Sequence, residues 1–78
     1  MKKKIFYNNQ KYDMEKELNY EIVSNYKETK WFIVITDIDR KPLKTPLISR
    51  MYDSYEGLYS LIMSIDSFIY KNTDYLDF

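Results

Sequence analysis

The sequence predicts an α+β fold in which an antiparallel sheet of four to five strands, connected as a meander, packs on one C-terminal α-helix. Short runs of alternating apolar and polar residues fill the first third of the chain. A continuous apolar run, WFIVI, follows at its centre, and apolar residues take up helical spacing after residue 54. Because 78 residues leave no room for a second core, we expect one domain over residues 1–78.

The first element is a predicted β-hairpin. In the segment KIFYNNQKYDM, two short runs flank Asn8–Asn9. Asparagine tolerates the positive φ that a tight hairpin turn requires, so the chain is expected to reverse there.

The next segment, Tyr12–Tyr26, alternates between two sets of side chains. Met14, Leu18 and Ile22 fall on one side, with acidic and amide residues on the other. This alternation predicts a strand with a polar outer face, bent near Lys16–Glu17. A helix that places the same three apolar residues on one face is the alternative interpretation.

The central strand is predicted over Trp31–Ile38, because its apolar run lacks alternation. A two-residue turn at Glu28–Thr29 would pair it with the preceding strand as Tyr26 with Trp31, Ser24 with Ile33, Val23 with Val34 and Ile22 with Ile35. A shorter strand is expected over Leu43–Ser49. Pro46 removes a backbone donor from it, which predicts a position at the sheet edge.

The C-terminal helix is predicted over Ser54–Lys71. Asp53 can cap its first amides, with Glu56 three residues later as in a capping box. Asn72 marks the expected end, and residues 72–78 are expected to form a tail.

This helix carries more apolar surface than one sheet needs. At 100° per residue its apolar arc spans about 220°, against about 100° for a one-sided helix. Part of the arc is expected to pack on the sheet, and its residues are Leu58, Ile62, Ile65 and Ile69, extended by Tyr55, Leu61 and Phe68. Tyr59, Met63 and Tyr70 form a separate cluster within the apolar arc. Either the sheet or the tail covers this cluster, or it contacts a partner. Aromatic residues and methionine are typical of such contacts, so we predict these three residues as partner-binding.

A second candidate surface is acidic. Four carboxylates, Asp13, Glu15, Glu17 and Glu21, occupy the polar side of the predicted strand. Same-side residues of a strand repeat at about 6.6–6.8 Å, close to the spacing of phosphates along a nucleic-acid strand. We therefore predict these residues as partner-binding also, through imitation of a phosphate backbone. A plain solvated sheet face is the alternative interpretation.

The composition argues against catalysis. The chain has no cysteine, no histidine and one glycine, so it lacks a thiol, the commonest general base and a glycine-rich phosphate loop. Asp37 and Asp39 follow a hydrophobic strand and superficially resemble the opening of haloacid-dehalogenase-type phosphatases. Arg40–Lys41 replaces the expected small residues, and a solvated turn is the preferred interpretation. We expect no catalytic, cofactor-binding or metal-binding residue and no enzymatic activity.

Charge and hydropathy set the expected location and partners. Twelve basic and twelve acidic residues cancel, which disfavours direct nucleic-acid binding. The basic clusters Lys2–Lys4 and Arg40–Lys44, with Tyr7 and Tyr12 as stacking rings, would carry that function in a single-strand binder. No apolar run is long enough to span a membrane. We expect a soluble, cytoplasmic protein that either binds a host protein or forms a homodimer.

In composition and size the chain resembles small accessory proteins of phages and mobile elements from AT-rich bacteria. It is short, rich in Lys, Asn, Ile and Tyr, lacks Cys and is poor in Gly. The resemblance rests on no motif. It implies a stoichiometric inhibitor of the anti-CRISPR type, acting on a nucleic-acid-handling defence protein of the host.

Overall fold

The computed structural model describes residues 3–14, 17–71 and 73–78. Within them the chain forms six strands and one α-helix preceded by a 3-10 turn at Glu56–Leu58. The elements in chain order are β1 (Lys3–Tyr7), β2 (Gln10–Met14), β3 (Leu18–Ser24), β4 (Trp31–Asp37), β5 (Pro42–Ile48), α1 (Tyr59–Tyr70) and β6 (Tyr75–Asp77). The α+β class and the C-terminal helix are confirmed, and β3 excludes the alternative of a helix through Leu18 and Ile22.

The strands form two sheets, so the prediction of one four- to five-stranded meander is wrong. One sheet has the order β2-β1-β6 and the other β3-β4-β5. Two features separate the observed arrangement from the predicted one. The strand predicted over Tyr12–Tyr26 is two strands, one in each sheet, and β6 pairs in parallel with β1.

The expected tail is part of the fold. Leu76 lies opposite Ile5 and is 2% exposed, and Lys4 donates its backbone N–H to the carbonyl of Asp74 at 2.8 Å. The physical reason is burial of Leu76, which a three-residue strand obtains by docking beside β1. Asn72, the predicted helix end, lies outside the described residues.

The N-terminal hairpin forms as predicted. Tyr7 pairs with Gln10, and the two intervening residues, Asn8 and Asn9, have φ of 55° and 63°. These are the left-handed conformations that asparagine adopts with least strain.

The β3–β4 hairpin keeps the predicted faces but not the predicted pairs. Ser24 lies opposite Trp31 and Ile22 opposite Ile33, a shift of two residues. The cause is Asn25, whose Oδ1 accepts hydrogen bonds from the backbone N–H of Thr29 at 2.9 Å and of Lys30 at 3.2 Å. This bonding closes a longer loop than the predicted two-residue turn. A shift of two preserves the side-chain faces because strands have a period of two.

The strand β5 lies at a sheet edge, as Pro46 predicts. Its pairing with β4 is irregular between Ile35 and Thr36. Ser49, just after β5, donates its backbone N–H to the Ile33 carbonyl at 2.8 Å, and its Oγ accepts from the Ile33 N–H at 2.8 Å. The buried side chain of Ser49 thus continues the ladder beyond the strand.

The helix begins later than predicted and Asp53 does not cap it. Asp53 forms an ion pair with Lys30 instead. The N-cap residues of the 3-10 turn and of α1 are Tyr55 and Leu58, and neither makes a side-chain capping bond. Just before them, the Oγ of Ser54 accepts a 3.2 Å hydrogen bond from the Gly57 N–H. The first turn is a 3-10 turn, and α1 follows from Tyr59.

One hydrophobic core joins both sheets and the helix. Its buried members come from five strands and from the helical segment: Ile5, Leu18, Ile33, Ile35, Leu47, Leu58, Ile65, Phe68 and Leu76. The sheet-facing arc predicted for the helix is confirmed by the burial of Leu58, Ile65 and Phe68, with Ile62 and Ile69 half-buried. In the part of the chain that the structure describes, no helix has the length and apolar character needed to cross a membrane.

Candidate protein-binding face

The predicted helix cluster is exposed to solvent. Tyr59, Met63 and Tyr70 are 54%, 70% and 68% exposed, on the flank of α1 that neither sheet covers. The C-terminal residues form β6 and leave these three side chains accessible. Their contact with a partner stays a prediction.

The exposed cluster continues onto the sheet through two aromatic contacts. The Trp31 ring meets the Tyr55 ring edge to face at a centroid distance of 5.3 Å, and Tyr55 meets Tyr59 in the same way at 5.9 Å. Trp31 is held in place because its backbone N–H and C=O both bond to Tyr52, at 2.8 and 2.7 Å. The start of β4 is thereby fixed against the segment that leads into the helix.

Tyr55 is the residue that sequence reasoning misplaced. Its helical angle assigned it to the sheet-facing arc, yet it is 39% exposed and packs beside Trp31. The angle failed because Tyr55 precedes both the 3-10 turn and α1, where 100° per residue does not apply. We call Trp31, Tyr55, Tyr59, Met63 and Tyr70 the aromatic face.

A polar contact ties β3 to the same flank of the helix. The Tyr20 hydroxyl donates a 3.0 Å hydrogen bond to Oδ1 of Asp66. Burial raises the pKa of Tyr20 to about 12, and the bond to Asp66 and its negative charge act in the same direction. The phenol therefore stays protonated at neutral pH. The sequence feature that could have indicated this contact is Asp66, because it is the one acidic residue of α1.

The aromatic face has the composition of a contact surface. Its side chains offer large apolar area with hydrogen-bonding tips, the composition found in the buried centre of protein interfaces. Asp66, on the same flank of the helix, accepts the Tyr20 hydroxyl.

The acidic candidates do not form one row. Asp13 lies on β2, Glu17 between strands and Glu21 on β3, and all three are exposed. Since β2 and β3 belong to different sheets, the regular strand spacing on which the phosphate imitation depended is broken. Glu15 lies outside the described residues. The role of these carboxylates in partner binding stays a prediction.

The Asp37–Asp39 segment is a side-chain-capped turn. Oδ1 of Asp37 accepts hydrogen bonds from the backbone N–H of Asp39 at 2.9 Å and of Lys41 at 2.8 Å. Arg40 adopts a φ of 64° within this turn. The local role of Asp37 is thus to close the β4–β5 connection. Among residues 3–14, 17–71 and 73–78, no three His, Cys, Asp or Glu side chains group so as to hold a metal ion.

The residues proposed for single-strand binding have structural contacts. Lys3 donates hydrogen bonds to backbone carbonyls at the end of α1. The half-buried Tyr7 ring lies 6.0 Å from Phe78 and 6.4 Å from Tyr12. The Tyr7 ring thus packs between Tyr12 of its own hairpin and the C-terminal Phe78.

Comparison of this chain with protein-family models, with curated proteins and with solved structures finds no match.

Proposed function

We propose that the chain is a non-enzymatic protein-binding module that docks through the aromatic face. The observation that carries the proposal is the continuity of Trp31, Tyr55 and Tyr59 across sheet and helix, with Met63 and Tyr70 exposed beyond them. Fully burying one large apolar side chain contributes about 1.5–3 kcal/mol. A few such residues at the centre of an interface are sufficient to dominate its affinity.

Rigidity of the face supports the same proposal. Trp31 is fixed by two backbone bonds to Tyr52, and the Tyr20–Asp66 bond fixes β3 against the helix. Side chains already held in one arrangement lose less entropy on binding.

For the partner, we propose a host protein that handles nucleic acid, bound as a stoichiometric inhibitor binds its target. The support is the chain's phage-accessory composition and the exposed carboxylates Asp13, Glu17 and Glu21. Such carboxylates would complement the basic surface of a nucleic-acid-binding protein and accelerate encounter with it.

The test compares capture from host lysate by the purified chain and by two variants. Tyr59→Ser with Met63→Ser removes two members of the aromatic face, whereas Tyr26→Ser alters a 90% exposed tyrosine on the β3–β4 loop. We expect the double variant to lose the captured protein and the control to retain it. Both should melt close to the unchanged chain, because these side chains are exposed.

Sedimentation velocity of the same three proteins addresses self-association. A monomer whose captured partner is lost only in the double variant supports the proposal. If the unchanged chain is a dimer and the double variant is a monomer, a second copy covers the aromatic face. If the double variant still captures the partner, the partner binds elsewhere on the chain. Either result overturns the proposed docking surface.

A further inference from the structure

A second surface combines an open groove with a free strand edge. The groove has a volume of about 500 Å³ and lies between α1 and the C-terminal residues, within the range of about 300–1,000 Å³ common for ligand sites. The helix lines it with Met63, Ser64 and Ser67, and the chain after the helix with Thr73, Asp74, Tyr75, Leu76 and Asp77.

The lining from β6 is the edge of a strand. Tyr75, Leu76 and Asp77 are consecutive, whereas one face of a strand presents only alternate residues. In the order β2-β1-β6, β6 is the last strand that residues 3–14, 17–71 and 73–78 contribute to this sheet. Its bonds to β1 include those of the Asp74 carbonyl and the Phe78 N–H, at 2.8 Å each.

The alternation of backbone groups determines what this edge offers. Since Asp74 and Phe78 direct backbone groups toward β1, Tyr75 and Asp77 direct their N–H and C=O groups away from it. These four groups can pair with one added strand. A short strand with charged residues resists pairing with a copy of itself, and it selects a partner strand of opposite charge.

The charge of the groove is negative. Asp74 and Asp77 are exposed and line it, and no Lys or Arg among the described residues does. Lys4 lies on the neighbouring strand β1, and Lys71 follows α1. Within the described residues, neither forms an ion pair within 4 Å of Asp74 or Asp77.

We propose that the groove beside β6 binds an extended, lysine- or arginine-bearing peptide segment, which adds a strand to the free edge at Tyr75 and Asp77. Main-chain hydrogen bonds supply the pairing and the two aspartates select the basic side chains. Ser64 and Ser67 on the helix wall and Thr73 beside β6 complete a polar lining. This site is separate from the aromatic face and shares only Met63 with it.

The test uses two synthetic peptides, acetyl-TKVKVKT-amide and acetyl-TEVEVET-amide, titrated into the isotopically labelled full chain and followed by amide resonances. We expect the lysine peptide to saturate shifts at Tyr75, Asp77, Ser64 and Ser67 with a Kd below about 1 mM. The glutamate peptide should cause none. Absence of saturation, equal response to both peptides, or shifts centred on another surface would overturn the proposal.

Two sets of variants test its two components. Tyr75→Pro removes an N–H that points away from β1, which proline tolerates at an edge, and Tyr75→Ala removes the ring alone. We expect the alanine variant to bind and the proline variant to lose about fivefold or more in affinity. Asp74→Asn with Asp77→Asn should lower lysine-peptide affinity about three- to tenfold.

These variants keep the proposal falsifiable if Tyr75→Pro fails to fold. An aspartate double variant that binds the lysine peptide as tightly as the unchanged chain would overturn the charge selection. Equal binding by folded proline and alanine variants would overturn the strand pairing. Tyr59→Ser should leave peptide binding intact, which separates this site from the proposed function.

Discussion

The ammonium group of Lys3, at the start of β1, donates a hydrogen bond to the backbone carbonyl of Phe68 in the last turn of α1. It also reaches the carbonyl of Ile69 at 3.3 Å and lies 5.1 Å from the centre of the Phe68 ring. Carbonyls at a helix end have no partner within the helix and carry partial negative charge. The N-terminal strand therefore supplies the cation that caps the C-terminal helix.

Replacing Lys3 by Met should lower the free energy of unfolding by about 1 kcal/mol, because methionine keeps the aliphatic stem and removes the donor. Urea denaturation measures the change. Lys11→Met, on the exposed side of β2, is the matched control and should change stability by less than about 0.5 kcal/mol. Equal effects of the two substitutions would exclude a capping role for Lys3.

The hydrogen bond from Tyr20 to Asp66 predicts coupling between these two residues. Tyr20→Phe and Asp66→Asn should each destabilise the protein by about 1 kcal/mol, and the double variant should cost less than their sum. Urea denaturation of the four proteins gives the coupling. Strict additivity would show that the two side chains stabilise the protein independently.

The raised pKa of Tyr20 predicts an alkaline dependence of stability. Its pKa is about 12 in the folded chain against an ordinary value of 10.0, so the unfolded chain loses the proton first. The stabilisation by Tyr20 is fully present below pH 10.0 and is lost as the pH rises through about 12. The stability difference between the unchanged chain and Tyr20→Phe should shrink across this window. A difference that stays constant or grows would contradict the assignment.

Local sequence signals predicted the elements better than their assembly. The Asn8–Asn9 turn, the apolar run of β4, Pro46 at an edge and the apolar arc of the helix each reflect a local rule, and each has its expected place in the fold. The pairing of β6 with β1 joins residues about seventy positions apart, and the division into two sheets falls between the neighbouring strands β2 and β3. No periodicity encodes them.

The candidate site also combines features that local sequence signals predict with features that depend on tertiary contacts. Helical spacing alone identified Tyr59, Met63 and Tyr70 as a separate cluster, and these side chains are exposed. Tyr55 joins that cluster through its ring contact with Tyr59, and Trp31 joins it through a tertiary contact with Tyr55. Tyr20 reaches the same helix through Asp66. The acidic candidates failed as a row because the strand that would have aligned Asp13 with Glu21 is two strands in different sheets.

In the β3–β4 loop, replacing one exposed side chain is expected to lower the free energy of unfolding. Asn25 bonds through Oδ1 to two backbone N–H groups and donates from Nδ2 to Oγ1 of Thr29 at 2.9 Å. Asn25→Ala should lower the free energy of unfolding by about 1–2 kcal/mol. Tyr26→Ala, one residue later and 90% exposed, should change it by less than about 0.5 kcal/mol. If Asn25→Ala and Tyr26→Ala have the same melting temperature, the hydrogen bonds of Asn25 do not stabilise the loop.

The final strand predicts that the C-terminal residues are required for stability. Leu76 is 2% exposed within the core shared by both sheets and the helix. Leu76→Ala should therefore cost about 2–5 kcal/mol, through lost burial and the cavity left behind. Tyr75→Ala is the matched control, because its ring is 56% exposed and contacts Phe6 edge to face at 4.8 Å. It should cost about 1 kcal/mol or less.

Urea denaturation of both variants decides whether this segment is a strand or a tail. A tail would tolerate either substitution, since neither side chain would be buried. A large loss confined to Leu76→Ala places Leu76 in the core and β6 beside β1. Similar small effects of both substitutions would contradict the parallel β1–β6 pairing, and the strand edge proposed for peptide binding would then be absent.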